Sequence, residues 1–386
     1  MQMIRALYPV FNNGQGVSYT CRSICQSLQG ESLKVEAWFP ASEAHARRRF
    51  VRDACPRLLM PVIYRLPDPG RRLANAAERA FLRALRPGDI AYLWPGVSVE
   101  TYERIKDRGI TIVTERINCH TGFAKRLLDQ EYDRIGWPVS HDLTEQHIAS
   151  ENSEVNLADF IFAPSTWVAR SFDQAAVPRQ KILRATYGWD PQRFQGNGQH
   201  LPKHEGLTVV FVGRLCIRKG IHLLLEAWDK ARIKGRLLLA GALHHDVEKR
   251  LATAIEKTGV VQLGHTPDVG AVLRCADLFV LGSLEEGSPL VTYEALGCGL
   301  PVLVSPMGAG PARDGIEGFV REPHDIDGWV AALRRFAEDV DLRKQMGQAA
   351  RARANEFTWE KVGARRRKLL QSATNSHVSE EVAVPA

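Results

Sequence analysis

Two carboxylates, Glu286 and Glu294, stand near the ends of the stretch EEGSPLVTYE, between the apolar runs CADLFVLGS and ALGCGLPVLVS. A carboxylate beside a core is costly unless something pairs with it. Gly287 and Ser288 read as a tight turn after a strand, and Pro289 suits the first turn of a helix, where its missing N–H costs nothing. Glu286 then precedes the helix, and Glu294 falls about two turns along it. Carboxylates placed this way can accept hydrogen bonds from paired vicinal hydroxyls, such as those of a ribose or a hexose. The N–H groups of the turn and the helix start would face phosphate oxygens. Upstream, FVGRLCIRKGI sets Arg214 and Lys219 five residues apart across a short loop, with Lys219-Gly220 opening a helix. Two cations beside a helix N-terminus suit a diphosphate. The plain structural alternative is that the cations are loop charges, Glu286 an exposed acid and Glu294 a local cap.

These motifs, in this order, resemble the donor half of a retaining GT-B glycosyltransferase of the family 4 type over residues 207–320. VGRLCIRKG is similar to that family's phosphate-binding start of the second domain, and EGSPLVTYEALGCGLPVLVS to its Glu-x7-Glu motif with the Gly-x-Pro-Val strand after it. The resemblance implies an α/β GT-B fold, two Rossmann-like doubly wound domains facing a central cleft. It implies transfer of a sugar, with retention, from a nucleoside-diphosphate sugar to a hydroxyl acceptor (a glycan, a lipid-linked molecule or a small molecule). Arg214 and Lys219 would bind the donor diphosphate, Glu286 the sugar hydroxyls near the reacting carbon, and Glu294 the ribose 2′ and 3′ hydroxyls. The backbone of Gly287, Ser288, Leu290 and Val291 would hold sugar and phosphate. With Arg214, Lys219 and helix dipoles to stabilise the leaving diphosphate, no metal is required and no cofactor is expected beyond the donor substrate.

The first half resembles the family more weakly. NNGQG at 12–16 is similar to its N-terminal glycine loop, in which Gly14 and Gly16 would let the backbone approach the donor phosphates. TIVTERINCH, with Glu115, Arg116 and His120, resembles the segment that places a histidine near the transferred sugar; the competing reading of His120 is a satisfied structural histidine. FTWEKVGARRRKLL resembles the last helix, which crosses back onto the first domain. Two departures stand out: GALHHD replaces the Gly-x-Gly of many relatives, and His222 stands where many carry an acid after Lys-Gly. Two other functions stay open. A nucleotide-sugar epimerase of the same fold would need the same donor contacts, and a non-catalytic nucleotide- or polyanion-binding module could keep them. Direct nucleic-acid binding would want aromatics interleaved along a basic groove, and none are evident.

The elements that must position these residues alternate along the chain. Strands are expected near 2–8, 34–39, 90–93, 110–114 and 160–163, with helices near 71–85, 98–107, 123–134, 142–157 and 166–174 between them. A Gly-, Pro-, Gln- and His-rich stretch then reads as a linker. A cleaner strand–helix alternation begins at LTVVFVG. The expected organisation is a first, acceptor-side domain over 1–190, a linker over 191–206, a donor domain over 207–355, a returning helix over 356–373 and a flexible tail over 374–386.

The chain has 386 residues, 45% of them apolar, enough for two cores of ordinary size. Its net charge of +7 suits anionic partners without choosing among them. The excess is uneven: between His45 and Arg86 eleven arginines face Asp53, Asp68 and Glu78. That region is expected to meet an anionic membrane surface, an anionic acceptor or only solvent. The seven cysteines form no CxxC pair, which argues against a zinc site and fits a reducing compartment. The start MQMIRALYPV reads as a strand rather than a leader, and no run is long enough to span a bilayer. The expected location is cytoplasmic, with peripheral contact to the inner face of a membrane open. The DxD patterns at 325–327 and 339–341 sit at helix starts, where Asp is a common cap.

Overall fold

The computed structural model describes residues 2–196, 202, 204–256 and 259–382. Residues 197–201 and 203 of the expected linker, and the last four of the expected tail, lie outside the described residues. The chain divides into two compact units. The first takes Met1–Thr121, Thr144–Tyr187 and Trp359–Ala386; the second takes Gly122–Leu143 and Gly188–Thr358.

Among the described residues, the first unit holds a parallel sheet of β1 (Gln2–Leu7), β2 (Leu33–Phe39), β3 (Val51–Asp53), β4 (Ile90–Leu93), β5 (Thr111–Glu115), β6 (Phe160–Ala163) and β7 (Ile182–Arg184). Their order is β3-β2-β1-β4-β5-β6-β7. The second unit holds β8 (Leu207–Val212), β9 (Gly235–Ala240), β10 (Val260–Gly264), β11 (Leu278–Leu281), β12 (Val302–Val304) and β13 (Gly318–Val320), in the order β10-β9-β8-β11-β12-β13, again parallel. The architecture is the expected α/β pattern of two doubly wound sheets. The composition of the central strands explains it. IAYL in β4, FIFA in β6 and LFVL in β11 are buried along their whole length, as strands covered on both faces by helices must be.

Three strands were not anticipated: β3, β7 and β13. Each has three residues and sits at a sheet edge, too short to show a period. The expected domain limits also shift. Residues Gly122–Leu143, which take in all but the first residue of the helix Thr121–Ile135, go with the second unit, although they lie in the first half of the sequence. The last helix runs Trp359–Val382, so it takes in residues 374–382 that read as tail. Its far end lacks an apolar stripe, but extending an existing helix costs far less than nucleating one.

That last helix is fixed to the first unit by a buried ion pair. Arg366, fully buried, sends two charge-assisted hydrogen bonds of 2.8 and 3.0 Å to Glu115 at the end of β5. It donates a third, of 2.7 Å, to the Ala185 carbonyl, and its guanidinium lies 4.7 Å over the Phe162 ring. Tyr92 donates to the same carboxylate. Trp359 Nε1 donates to the Tyr19 hydroxyl at 2.9 Å, tying the helix start to the helix Gly16–Ser27. No helix among the described residues is long and apolar enough to cross a membrane.

Candidate functional site

In a doubly wound sheet the loops diverge where the strand order reverses, and a crevice opens beyond the carboxyl ends of the strands there. In the second unit that point lies between β8 and β11. The loops that follow are the two stretches singled out by sequence. They meet at backbone distance: Leu284 N–H donates to the Arg218 carbonyl at 2.9 Å. Gly220 has φ +68°, and a Cβ there would lie 2.0 Å from the Gly282 carbonyl oxygen. Only glycine can hold this position, which is why Lys219 is followed by Gly220 at the start of the helix Ile221–Ala231.

Two ion pairs cross the crevice in adjacent register. Arg218 donates to Glu285 at 2.9 Å, and Lys219 pairs with Glu286. Ser283 Oγ also donates to Glu286, at 3.2 Å. Both acids are buried, Glu285 to 1% exposure and Glu286 to 5%. Burial, with the positive charge of Arg218 beside it, pushes the Lys219 ammonium down to about 7. The Arg218 guanidinium is itself held above its usual value: burial opposes the charge, but Glu285 more than compensates. Sequence reasoning found Lys219 and Glu286 and passed over Arg218 and Glu285. The doublets Arg218-Lys219 and Glu285-Glu286 were the available clue, since two adjacent bases can face two adjacent acids.

The turn after Glu286 is buried through Gly287, Ser288 and Pro289. Pro289 is the cap residue rather than the first helical one, and the helix runs Leu290–Gly297 with Leu290 and Val291 half-buried at its start. Ser288 Oγ and the Tyr293 hydroxyl are 2.8 Å apart. Thr292 Oγ1 donates to the Gly308 carbonyl at 2.8 Å and pins the helix to the loop after β12. Glu294 is half-buried, with no hydrogen-bond partner for its carboxyl among the described residues. Burial pushes it up to about 7, while Arg193 pulls the other way. Arg214 is exposed just after β8. Gly241, first of the divergent GALHHD loop, crowds the same loop: a Cβ there would lie 1.8 Å from the Gly213 carbonyl oxygen.

The remaining sequence candidates lie in the first unit. Gly14 and Gly16 turn the chain at φ +73° and +51° into the helix Gly16–Ser27, and the Gly14 N–H donates to Asn12 Oδ1 at 3.3 Å. His120 is buried at the start of the helix Thr121–Ile135. Its Nε2 lies 2.9 Å from Asn152 Oδ1, its backbone N–H donates to Ser171 Oγ at 2.8 Å, and its ring meets Phe172 edge-on. The neighbouring Arg116 is engaged by Glu154 at 2.8 Å and Glu151 at 3.6 Å. The structure thus brings Lys219 and Glu286 together and sets Glu294 on the helix that follows, while Gly14, Gly16 and His120 belong to the other unit. Asp325 and Asp339 cap helices, accepting from Gly328 and Leu342 N–H groups at 3.0 and 2.8 Å. Among the described residues no cluster of His, Cys, Asp and Glu could hold a metal ion.

Comparison with known proteins falls on the same segment. Residues 206–339 match the family model described as glycosyl transferases group 1. The chain is similar to D-inositol 3-phosphate glycosyltransferase of Paenarthrobacter aurescens (strain TC1), 31% identical over 174 residues, which are 42% of this chain and 42% of that protein. It is similar to the GDP-mannose-dependent monoacylated alpha-(1-6)-phosphatidylinositol monomannoside mannosyltransferase of Corynebacterium glutamicum, 28% identical over 65% of this chain and 71% of that protein. The match spans about half the length of the curated relatives that align first. In three dimensions the chain is similar to Anabaena Alr3699/HepE in complex with UDP and glucose, with a TM-score of 0.72 at 17% identity over 96% of this chain and 100% of that one. The fold is GT-B, as the motif resemblance implied.

Proposed function

We propose that the protein is a retaining glycosyltransferase that moves a sugar from a nucleoside-diphosphate sugar to a hydroxyl acceptor without a metal ion. The observation that carries this reading is the pairing of Lys219 with Glu286 at the switch point of the second sheet, inside the segment that matches the glycosyl transferases group 1 model. A cation and a carboxylate that neutralise each other across the crevice each have a substrate group to exchange for: a phosphate for Lys219, a pair of sugar hydroxyls for Glu286.

Negative charge grows on the diphosphate as the glycosidic bond breaks. Lys219, Arg214 and the N-termini of the helices Ile221–Ala231 and Leu290–Gly297 offset it, a contribution worth several kcal/mol in a water-poor site. Glu286 holds sugar hydroxyls and so positions the anomeric carbon. Glu294, two turns along its helix, accepts from the ribose 2′ and 3′ hydroxyls. Backbone groups of Gly287, Ser288, Leu290 and Val291 hold sugar and phosphate. The relatives' names specify a glycosyl and a mannosyl transfer to hydroxylated phosphate esters, and the HepE complex contains UDP and glucose; these support donor class and reaction type.

A thermal-shift screen against UDP, GDP, ADP, TDP and their sugars, with EDTA present, tests the donor site. One base is expected to raise the melting temperature. Lys219→Ala and Glu286→Ala are then expected to lower transfer by roughly 100-fold or more with the fold intact by circular dichroism. Full transfer in either variant, or no shift with any nucleotide, overturns the assignment.

A further inference from the structure

The first unit has its own switch point, between β1 and β4. A cavity of about 800 Å³ lies there, lined by residues that follow these two strands, among them Phe11 and Ser98, and by Tyr64, Arg71, Arg79 and Arg104. Beside it, the short helical segment Arg57–Leu59 and Met60–Ile63 presents apolar side chains on two sides. Met60 and Ile63 face inward and pack with Phe11, Ala41, Cys55 and Leu73. Leu58 is 90% exposed, and Leu59, Val62, Tyr64 and Leu66 are also exposed. Five of the eleven exposed large hydrophobics among the described residues thus fall within nine consecutive positions. Scattered exposed apolar residues are ordinary, but a contiguous patch marks an interaction surface.

The surroundings indicate what covers it. Arg57, Arg65, Arg71 and Arg72 are exposed around the patch. The nearby acids are already engaged: Glu43 pairs with Arg57 at 3.0 Å, and Glu100, in the cavity wall, pairs with Arg104 at 2.8 Å. Asp68 caps the helix Pro69–Ala84 by accepting from the Arg71 N–H at 3.2 Å, and Glu78 is buried, accepting from the Ser98 N–H at 3.1 Å. A solvent-facing apolar patch ringed by arginines complements a surface that is anionic outside and apolar beneath.

We propose that residues 57–72 dock the protein onto an anionic lipid bilayer. Leu58, Leu59, Val62, Tyr64 and Leu66 enter the interfacial zone, and Arg65, Arg71 and Arg72 meet lipid phosphates. The cavity behind Tyr64, with Arg71 and Arg79 in its wall beside the pair of Arg104 with Glu100, takes the anionic headgroup of a lipid. The docking itself does not depend on the transferase reading; the identification of that headgroup as the acceptor does.

Co-sedimentation with vesicles of phosphatidylcholine, alone and mixed with phosphatidylglycerol, tests the proposal at low and high salt. Binding is expected only with phosphatidylglycerol, and is expected to weaken as salt rises. The double variant Leu58→Ser, Leu59→Ser is expected to bind at least tenfold more weakly, since each leucine loses its apolar burial. Arg65→Gln is expected to lose about fivefold and to flatten the salt dependence. Absence of binding to anionic vesicles overturns the proposal, as does binding that the leucine variant leaves unchanged. A dimer in sedimentation velocity that the leucine variant dissolves would assign the patch to a second copy instead. The nucleotide thermal shift, measured on the same unsubstituted preparation, reports on the second unit: a shift in a protein that does not bind anionic vesicles would sink this inference while leaving the donor site standing.

Discussion

Burial pushes both Lys219 and Glu294 toward neutrality, for Lys219 with the Arg218 charge acting in the same direction. They lie on opposite sides of pH 7 in what they need. If Lys219 and Glu294 hold the donor as proposed, its diphosphate stabilises the charged ammonium and raises the Lys219 value, and its ribose hydroxyls stabilise the carboxylate and lower the Glu294 value. At about pH 8.5 Glu294 is ionised and Lys219 mostly neutral, so donor binding takes up a proton. At about pH 6 Lys219 is already charged and Glu294 mostly protonated, so binding releases one. Titration calorimetry of the sugar nucleotide, whose diphosphate does not itself titrate in this range, in buffers of different ionisation enthalpy reads this directly. Lys219→Met is expected to abolish the uptake and Glu294→Gln the release. One sign of proton exchange at both pH values would contradict these roles.

At the scale of elements, one buried ion pair, Arg366 with Glu115, anchors the middle of the helix Trp359–Val382. Removing Arg366 leaves Glu115 buried without its cation, and Tyr92 cannot supply the missing charge. Arg366→Ala is expected to cost about 3–5 kcal/mol of stability, read as a fall in the denaturant midpoint. The exposed side of the same basic run gives the control: Arg365→Ala, exposed one residue earlier, is expected to change stability by less than about 0.5 kcal/mol. Equal losses in the two variants would refute the buried role of Arg366. The basic run Arg365-Arg366-Arg367-Lys368 has the composition of a solvated face, and nothing local distinguishes the buried member from its neighbours.

At the scale of the molecule, the two units are not the two halves of the sequence. Glu131, on the helix Thr121–Ile135, accepts from Arg134 and lies 2.6 Å from His222 and 2.7 Å from His324, both in the second unit. Burial works against this carboxylate, but the contacts from His222, Arg134 and His324 hold it well below the usual carboxylate range. Arg250 lies 5.0 Å over the Trp137 ring, a further tie of the same segment. A fragment of residues 207–355 therefore lacks part of its own unit. It is expected to melt below a fragment in which residues 122–143 are linked to 188–358, with greater dye binding to exposed apolar surface. Equal melting temperatures by calorimetry would mean that the segment contributes nothing to that unit.

Chain-local chemistry was enough to assign the α/β class and the longer strands and helices, and to single out the two loop stretches that meet beyond β8 and β11. The turn Gly287-Ser288, the capping aspartates and the four-residue buried strands depend on neighbours a few positions away, and such neighbours are written in order along the chain. Tertiary structure alone decided the rest. Arg366 and Glu115 are 251 positions apart, and His222 and Glu131 are 91 apart. No period or motif encodes contacts at such separations; they follow from how helices and sheets pack. The same holds for the exposed face of residues 58–66. Its leucines, valine and tyrosine have the composition of a core segment, and only packing shows that Met60 and Ile63 turn inward while Leu58, Leu59, Val62, Tyr64 and Leu66 are left outside.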